Sequence, residues 1–457
     1  MGAFRDVVIL LPGITGSVLA NARKEVWAPS GGAVWRAVAS FGKSITGLEL
    51  AADGGPGDVV ATRLVPDVTI VPGLVKIDGY SRIEQHLVGK LGLEPGRNYF
   101  PFPYDWRLDN RVNARALETK AMQWLTAWRR SSGAADARLV LVGHSMGGLV
   151  SRYFLECLGG WRDTRALFTL GTPHRGSLNA VDFLVHGMKK GIGPLGLDMT
   201  PLLRSLPSVY QLLPIYPCVD AAPGELAYIA DAAAAGALPE VDADRARQAR
   251  AFHQEIEDAQ EANARQDAYR ERGYRLQPMV GNLQPTYQSA RSRGGKVELL
   301  RSRNGQDDGG DGTVPCVSAI PIEMSDALDR VIYAADTHGS LQNEGGVLAT
   351  LGGRLKDPSV DLKTLRDEGL VKLSLDADEA VLPGEPLVVR ARASQDNPRI
   401  SVRLVHAGDG ETIEDAPARD PETGGRIGEY DLSPGVWRIT ISADGATPVT
   451  DLAVVAA

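Results

Sequence analysis

A serine hydroxyl attacks a carbonyl only when a base takes its proton and an anion orients that base. Ser145 stands where such a hydroxyl can be presented, in the stretch Leu139-Val140-Leu141-Val142-Gly143-His144-Ser145-Met146-Gly147-Gly148. The G-x-S-x-G pentapeptide alone is a weak signal, because a glycine-rich chain produces it by chance. Its context carries more weight. Residues 139–142 form a continuous Val/Leu run suited to a strand buried on both faces, and residues 149–156 space their apolar side chains as a helix does. The turn between them must be tight, so a side chain at Gly143 or Gly147 would strike the adjoining strand and helix. The pattern predicts a nucleophile elbow that projects Ser145 clear of a sheet.

An elbow of the α/β-hydrolase type also sets chain order: the acid and then the base follow the serine. The stretch Asp307-Asp308-Gly309-Gly310-Asp311-Gly312 offers the acid, and Asp336-Thr337-His338-Gly339 offers the base between a strand and a helix. Asp311 is preferred to Asp308 because a glycine on each side lets a loop carboxylate reach the imidazole without steric cost. His253 precedes the acid and His406 lies in a separate C-terminal region, so neither suits the base. His144 and His174 come too early and are read as packing or substrate-contact residues. The tetrahedral oxyanion needs donors fixed in advance. The backbone N–H groups of Met146 and of Ile14, after Pro12-Gly13, are the expected pair, with Gly13 and Gly16 allowing close approach.

These residues need a frame. Strand-like runs at 7–11, 98–103, 139–142, 165–170, 278–282 and 330–334 alternate with helix-like runs at 80–91, 112–130 and after His338, which predicts a parallel, two-sided α/β sheet. A poorly patterned insertion with Trp27 and Trp35 interrupts it at about 21–75. From 176 to about 275 the rhythm breaks, apolar residues crowd into 183–203, and a polar helical stretch follows Asp242. This reads as a cap. Phe183, Leu184, Met188 and Leu195 are the candidate acyl-chain contacts, with packing among themselves an equal alternative. Beyond 370, short alternating runs separated by Gly, Pro and Asp predict an immunoglobulin-like antiparallel β-sandwich over 371–457, appended to a hydrolase domain over 1–370.

With 457 residues, 43% of them apolar, the chain can bury a large core. Its net charge of −8 argues against a broad nucleic-acid footprint. The N-terminal apolar run is too short for a signal-peptide core and no run approaches a bilayer span, so a cytoplasmic location is expected. Cys157, Cys218 and Cys316 have neither disulfide-framework nor zinc-ligand spacing. The Asp-rich loop lacks the terminal Glu of a calcium loop. Neither metal nor cofactor is expected.

Taken together, several stretches resemble the lecithin:cholesterol acyltransferase-like family of lipases and acyltransferases. The most specific is Pro103-Tyr104-Asp105-Trp106-Arg107. Leu11-Pro12-Gly13, the elbow, Gly171-Thr172-Pro173, residues 206–214, Gly310-Asp311-Gly312-Thr313-Val314-Pro315 and the His338 loop support it. The resemblance covers about residues 5–350 and implies an α/β-hydrolase fold, a Ser145-Asp311-His338 triad, ester chemistry on lipids, and a scaffold role for Asp105, Trp106 and Arg107. Secreted members carry a disulfide-bounded lid, whereas residues 21–75 here contain no cysteine, so lid geometry does not transfer. The expectation is a serine esterase or lipase acting on phospholipid or neutral lipid, with water or an alcohol as acceptor. Its expected partners are a lipid-like ester, a transiently touched membrane surface and a protein docked on the sandwich. The alternatives are a non-catalytic lipid or protein binder and a cytoplasmic lipase effector held by a partner.

Overall fold

Six short runs of aliphatic and aromatic residues carry the frame. The computed structural model describes residues 4–22, 24–28, 48–50, 54–66, 69–71, 75–190, 197–222, 225–356, 371–382, 384–395, 399–421 and 423–456. In it the six runs are β1 (Val7–Leu11), β2 (Tyr99–Pro101), β3 (Leu139–His144), β4 (Thr164–Leu170), β5 (Arg275–Gly281) and β6 (Ile332–Ala334). They form one parallel sheet in the order β6-β5-β4-β3-β1-β2.

Every residue of β1 and β3 is buried because helices cover both faces. Successive side chains alternate between two cores. Val7, Ile9, Leu11, Leu139 and Leu141 pack with Leu117 and Leu125 of α2 (Asn110–Ser132) and Leu149 and Phe154 of α3 (Met146–Cys157). Val8, Leu10, Val140 and Val142 pack with Ile83 and Leu87 of α1 (Ser81–Leu91) and with Leu348 and Leu351 of the last helix, Gly345–Lys356. Each such side chain contributes roughly 1.5–3 kcal/mol when fully buried. Local signals set the helix ends. The Asp109 side chain accepts the Arg111 N–H at the start of α2, and Gly133, at φ 72°, terminates it.

Chain order decides where a site can form. From β1 the chain steps to β2 on one side and returns to β3 on the other, so the loops after β1 and β3 diverge at the carboxyl edge of the sheet. Open parallel sheets bind ligands at such a switch point.

The cap comprises α4 (Leu178–Val185), α5 (Ala243–Ala264), several shorter helices and a four-stranded sheet ordered Glu225–Ala227, Val219–Ala222, Ser289–Arg293, Lys296–Leu300. Two of these strands lie beyond residue 275, where the sequence pattern ended the cap, so β5 runs between two cap segments. The supposed insertion at 21–75 contributes Glu25–Trp27 and Val60–Leu64 to a small antiparallel sheet with Ser17–Ala20. Trp27 is buried there, donates from Nε1 to the Thr15 carbonyl at 2.9 Å and meets Trp106 edge-on. Trp35 lies outside the described residues.

The C-terminal region holds two antiparallel-rich sheets. Its strands are β7 (Leu373–Ala377), β8 (Ala380–Val381), β9 (Leu387–Ala393), β10 (Ile400–His406), β11 (Thr412–Asp415), β12 (Ala418–Arg419), β13 (Arg426–Tyr430), β14 (Gly435–Ala443) and β15 (Val449–Val455). The orders are β7-β9-β13-β12 and β8-β15-β14-β10-β11. Leu375, Val389, Val402, Trp437 and Ile439 fill the space between them. The alternating runs at 370–375, 386–391, 400–405, 426–432 and 437–442 of the sequence correspond to β7, β9, β10, β13 and β14, and no such run marks β15. That strand is buried along nearly its whole length, so it shows no apolar–polar period.

Candidate active site

The end of β3 and the start of α3 force Ser145 into φ 51°, ψ −125°, a conformation that costs a non-glycine residue on the order of 1–3 kcal/mol. Its N–H donates to the Leu170 carbonyl at 2.8 Å and its carbonyl accepts the Gly148 N–H at 3.0 Å, which hold the strained residue in place. The neighbouring glycines are required sterically. A Cβ on Gly147 would lie 2.5 Å from the Pro12 carbonyl oxygen, and one on Gly143 would lie 2.8 Å from Gly148 Cα.

The structure brings Ser145, His338 and Asp311 together. His338 Nε2 is 2.9 Å from Ser145 Oγ, and His338 Nδ1 is 2.7 Å from Asp311 Oδ2. Asp311 is buried, and its other oxygen accepts the Thr313 and Val314 N–H groups at 2.9 and 2.7 Å. Its main-chain carbonyl accepts the His338 N–H at 2.8 Å, so the Asp311 and His338 loops are tied through backbone as well as side chain. Asp308 is exposed and accepts from Gln306. His174 lies 3.3 Å from Thr169 Oγ1, His253 donates to the Gln211 carbonyl, and His406 pairs with Asp409, all apart from Ser145.

Ile14 lines the cleft beside Ser145, on the loop after β1. A Cβ on Gly13 would lie 2.9 Å from Ser145 Cβ, so only glycine lets this loop approach so closely. The Met146 N–H opens α3 and has no acceptor within that helix. Both amides are thus on the elements that flank the hydroxyl. The Pro103–Arg107 stretch holds the loop from behind. Tyr104 Oη donates to the Pro12 carbonyl at 2.8 Å, and Trp106 Nε1 donates to the Ser17 carbonyl. Arg107, fully buried, makes a bidentate pair with Asp105 and donates to the Leu48, Glu49 and Pro56 carbonyls.

His144 is more than packing. Gly13 N–H donates to Tyr80 Oη at 2.8 Å, and Tyr80 Oη lies 2.8 Å from His144 Nδ1. His144 Nε2 lies 3.0 Å from the His338 carbonyl, which can only accept. The proton on His144 therefore sits on Nε2, and Tyr80 donates to Nδ1. Burial, then the neighbouring His338, lower the His144 pKa to about 3, consistent with this neutral tautomer. The chain Gly13–Tyr80–His144–His338 links the β1 loop to the His338 loop. Sequence reading passed over Tyr80 because a tyrosine at a helix start carries no catalytic pattern.

The cleft above Ser145 has a volume of about 530 Å³. Of the candidate acyl contacts, Phe183 and Met188 line it. Leu184 does not: it is fully buried in the core beneath the cap, because α4 turns that face inward. Leu195 lies outside the described residues. A wall that sequence reading missed comes from the sandwich, with Leu375, Asp376 and Ala377 lining the same space. Among the described residues no group of three or more His, Cys, Asp or Glu side chains is placed to hold a metal, and no helix is long and apolar enough to cross a membrane.

A parallel sheet of this order, with a strained serine after its third strand in the chain, defines an α/β-hydrolase fold. Residues 72–288 match the family model described as lecithin:cholesterol acyltransferase. Over that span the chain is similar to the lecithin:cholesterol acyltransferase-like lipases and acyltransferases. It is 27% identical over 246 residues to phospholipase A(1) LCAT3 of Arabidopsis thaliana, covering 46% of this chain and 52% of that protein. It is 29% identical over 153 residues to the uncharacterized protein YJR098C of Saccharomyces cerevisiae, covering 33% of this chain and 20% of that protein. The chain thus spans about half or less of the length of these curated relatives. Among solved structures, the Bacillus licheniformis lipase BlEst2 in mature form aligns over 78% of this chain and 93% of its own, at 12% identity and a TM-score of 0.37.

Proposed function

We propose that the chain is a serine esterase that cleaves acyl esters of lipids. The observation that carries this reading is the unbroken line of contacts at the cleft floor, Ser145 Oγ to His338 Nε2 at 2.9 Å and His338 Nδ1 to Asp311 Oδ2 at 2.7 Å. Ser145 Oγ attacks the acyl carbon while its proton passes to His338 Nε2. Asp311 keeps the imidazole oriented and stabilises the imidazolium. The Ile14 and Met146 N–H groups receive the oxyanion. Collapse of the tetrahedral intermediate expels the alcohol, which takes the proton from His338 and leaves an acyl group on Ser145. Water, or a second alcohol, then attacks this acyl-enzyme with His338 as base.

A lipid ester is supported by the lecithin:cholesterol acyltransferase match, by the phospholipase A(1) name of a relative, and by Phe183 and Met188 in a cleft large enough for an acyl chain. The reading is tested with a fluorophosphonate probe. Mass spectrometry is expected to find the adduct on Ser145, with none in Ser145→Ala, and phospholipid vesicles are expected to release fatty acid at a rate lowered on the order of 10⁴-fold or more by the same change. Folded protein that takes no adduct, even with vesicles present, would overturn it.

A further inference from the structure

The C-terminal sandwich grips both loops that carry the acid and the base, each through polar groups at its own strands. Gln284, between β5 and the acid loop, is buried. Its main-chain N–H donates to the Gly310 carbonyl at 2.9 Å, and its backbone bridges Asp311. Its side chain turns the other way. The amide oxygen accepts the Leu375 N–H of β7 at 3.0 Å, and the amide nitrogen donates to the carbonyls of Leu373 and of Ala335, the latter three residues before His338. One residue, by its backbone and its side chain, therefore ties the acid loop, the base loop and the sandwich together.

The base loop has its own clamp on β15. The Asp336 carboxylate accepts the Thr450 N–H at 2.8 Å and the Thr337 N–H at 2.9 Å, while Thr337 Oγ1 donates to the Thr450 carbonyl at 2.7 Å. Both backbone groups of Thr450 are thus spent on the two residues that precede His338. Beside this clamp Lys76 Nζ pairs with Asp451 Oδ2 at 3.0 Å, and Arg438 pairs with Asp78. Asp78 N–H in turn donates to the Gly339 carbonyl, immediately after the histidine.

We infer that the sandwich is a working part of the active centre, with Gln284, Asp336 and Thr337 as positioning residues that hold Asp311 and His338 in register. The inference rests on the reading of Ser145, Asp311 and His338 as the reacting groups. Proton transfer over 2.9 Å tolerates little displacement, and a loop anchored only at its ends would not hold the imidazole between two partners. Anchors drawn from a separate layer supply that rigidity.

The test uses the full chain with Gln284→Met, which keeps length and loses the amide, and Thr337→Val, which loses only the hydroxyl. Two quantities are read: the rate of fluorophosphonate labelling per folded molecule, and the downfield proton resonance of the His338 Nδ1–H. Both variants are expected to melt cooperatively, to label at least about tenfold more slowly, and to shift or broaden that resonance. Thr337→Ser, which returns the hydroxyl, is expected to restore both. Unchanged labelling and an unchanged resonance in the folded variants would overturn the inference; should Gln284→Met not fold, Thr337→Val and its serine counterpart decide it. A wild-type protein that takes no label, yet whose resonance moves in the variants, would overturn the esterase reading and leave the positioning role standing.

Discussion

Of the apolar residues that crowd the cap between 183 and 203, Leu184, Met188, Met199, Leu202 and Leu203 are buried in the core, and Phe183 and Met188 line the cleft. The sandwich, remote in sequence and polar on its outer surface, lends Leu375, Asp376 and Ala377 to the same cleft and grips the loops of Asp311 and His338. The contrast teaches that apolar density along a chain reports burial, not contact with a ligand. A helix such as α4 can bury one face as core and offer only the residue at its margin to substrate.

The cap half of this contrast breaks most visibly at neighbouring residues. Leu184→Ala is expected to lower stability by about 2–5 kcal/mol in urea unfolding, as for a core cavity. Phe183→Ala is expected to leave stability nearly unchanged and to raise KM for long-chain esters several-fold. Equal effects of the two changes on KM would show that α4 presents both side chains to substrate.

His253 sharpens the same point by pH. It lies on α5, and burial lowers its pKa to about 4. A depressed histidine is neutral in the folded state while the unfolded chain takes up a proton below about pH 6.5. Its contribution to stability is therefore present above that pH and is lost as pH falls toward 4, by about 3 kcal/mol in all. Unfolding measured from pH 7 to 4.5 is expected to give a shallower acid loss in His253→Gln than in the wild type. Parallel curves would mean that α5 opens to solvent and that the cap is not packed as core.

The sandwich half predicts the smallest effect. Ala377→Trp narrows the cleft from that wall, so KM for a long-chain ester is expected to rise several-fold while a p-nitrophenyl acetate assay and the melting temperature stay close to wild type. Equal turnover of long and short esters would remove Ala377 from the substrate wall.

Much of the frame was legible because its signals are local. The Val/Leu runs of β1 and β3, the cap residue Asp109 and the terminator Gly133 each act within a few positions. The small sheet formed with residues 25–27 and 60–64 was not, since its strands are three to five residues long and too brief for a period to emerge. Asp311 was preferred for flanking glycines, yet what holds its carboxylate is a pair of backbone amides, Thr313 and Val314, that follow it in the turn.

By itself the sequence determined the elbow, through the steric demand for Gly143 and Gly147, and the order in which Ser145, Asp311 and His338 occur. It also determined which stretches are strands and helices of a two-sided parallel sheet, because alternation and helical spacing are written residue by residue. Only the tertiary structure decided that His144 and Tyr80 bridge the loops on either side of Ser145, that Leu184 faces inward, and that the sandwich is part of the cleft. The reason is physical. Gln284 meets Leu375 across 91 positions and Asp336 meets Thr450 across 114, and a hydrogen bond between such distant residues leaves no period or motif in the chain.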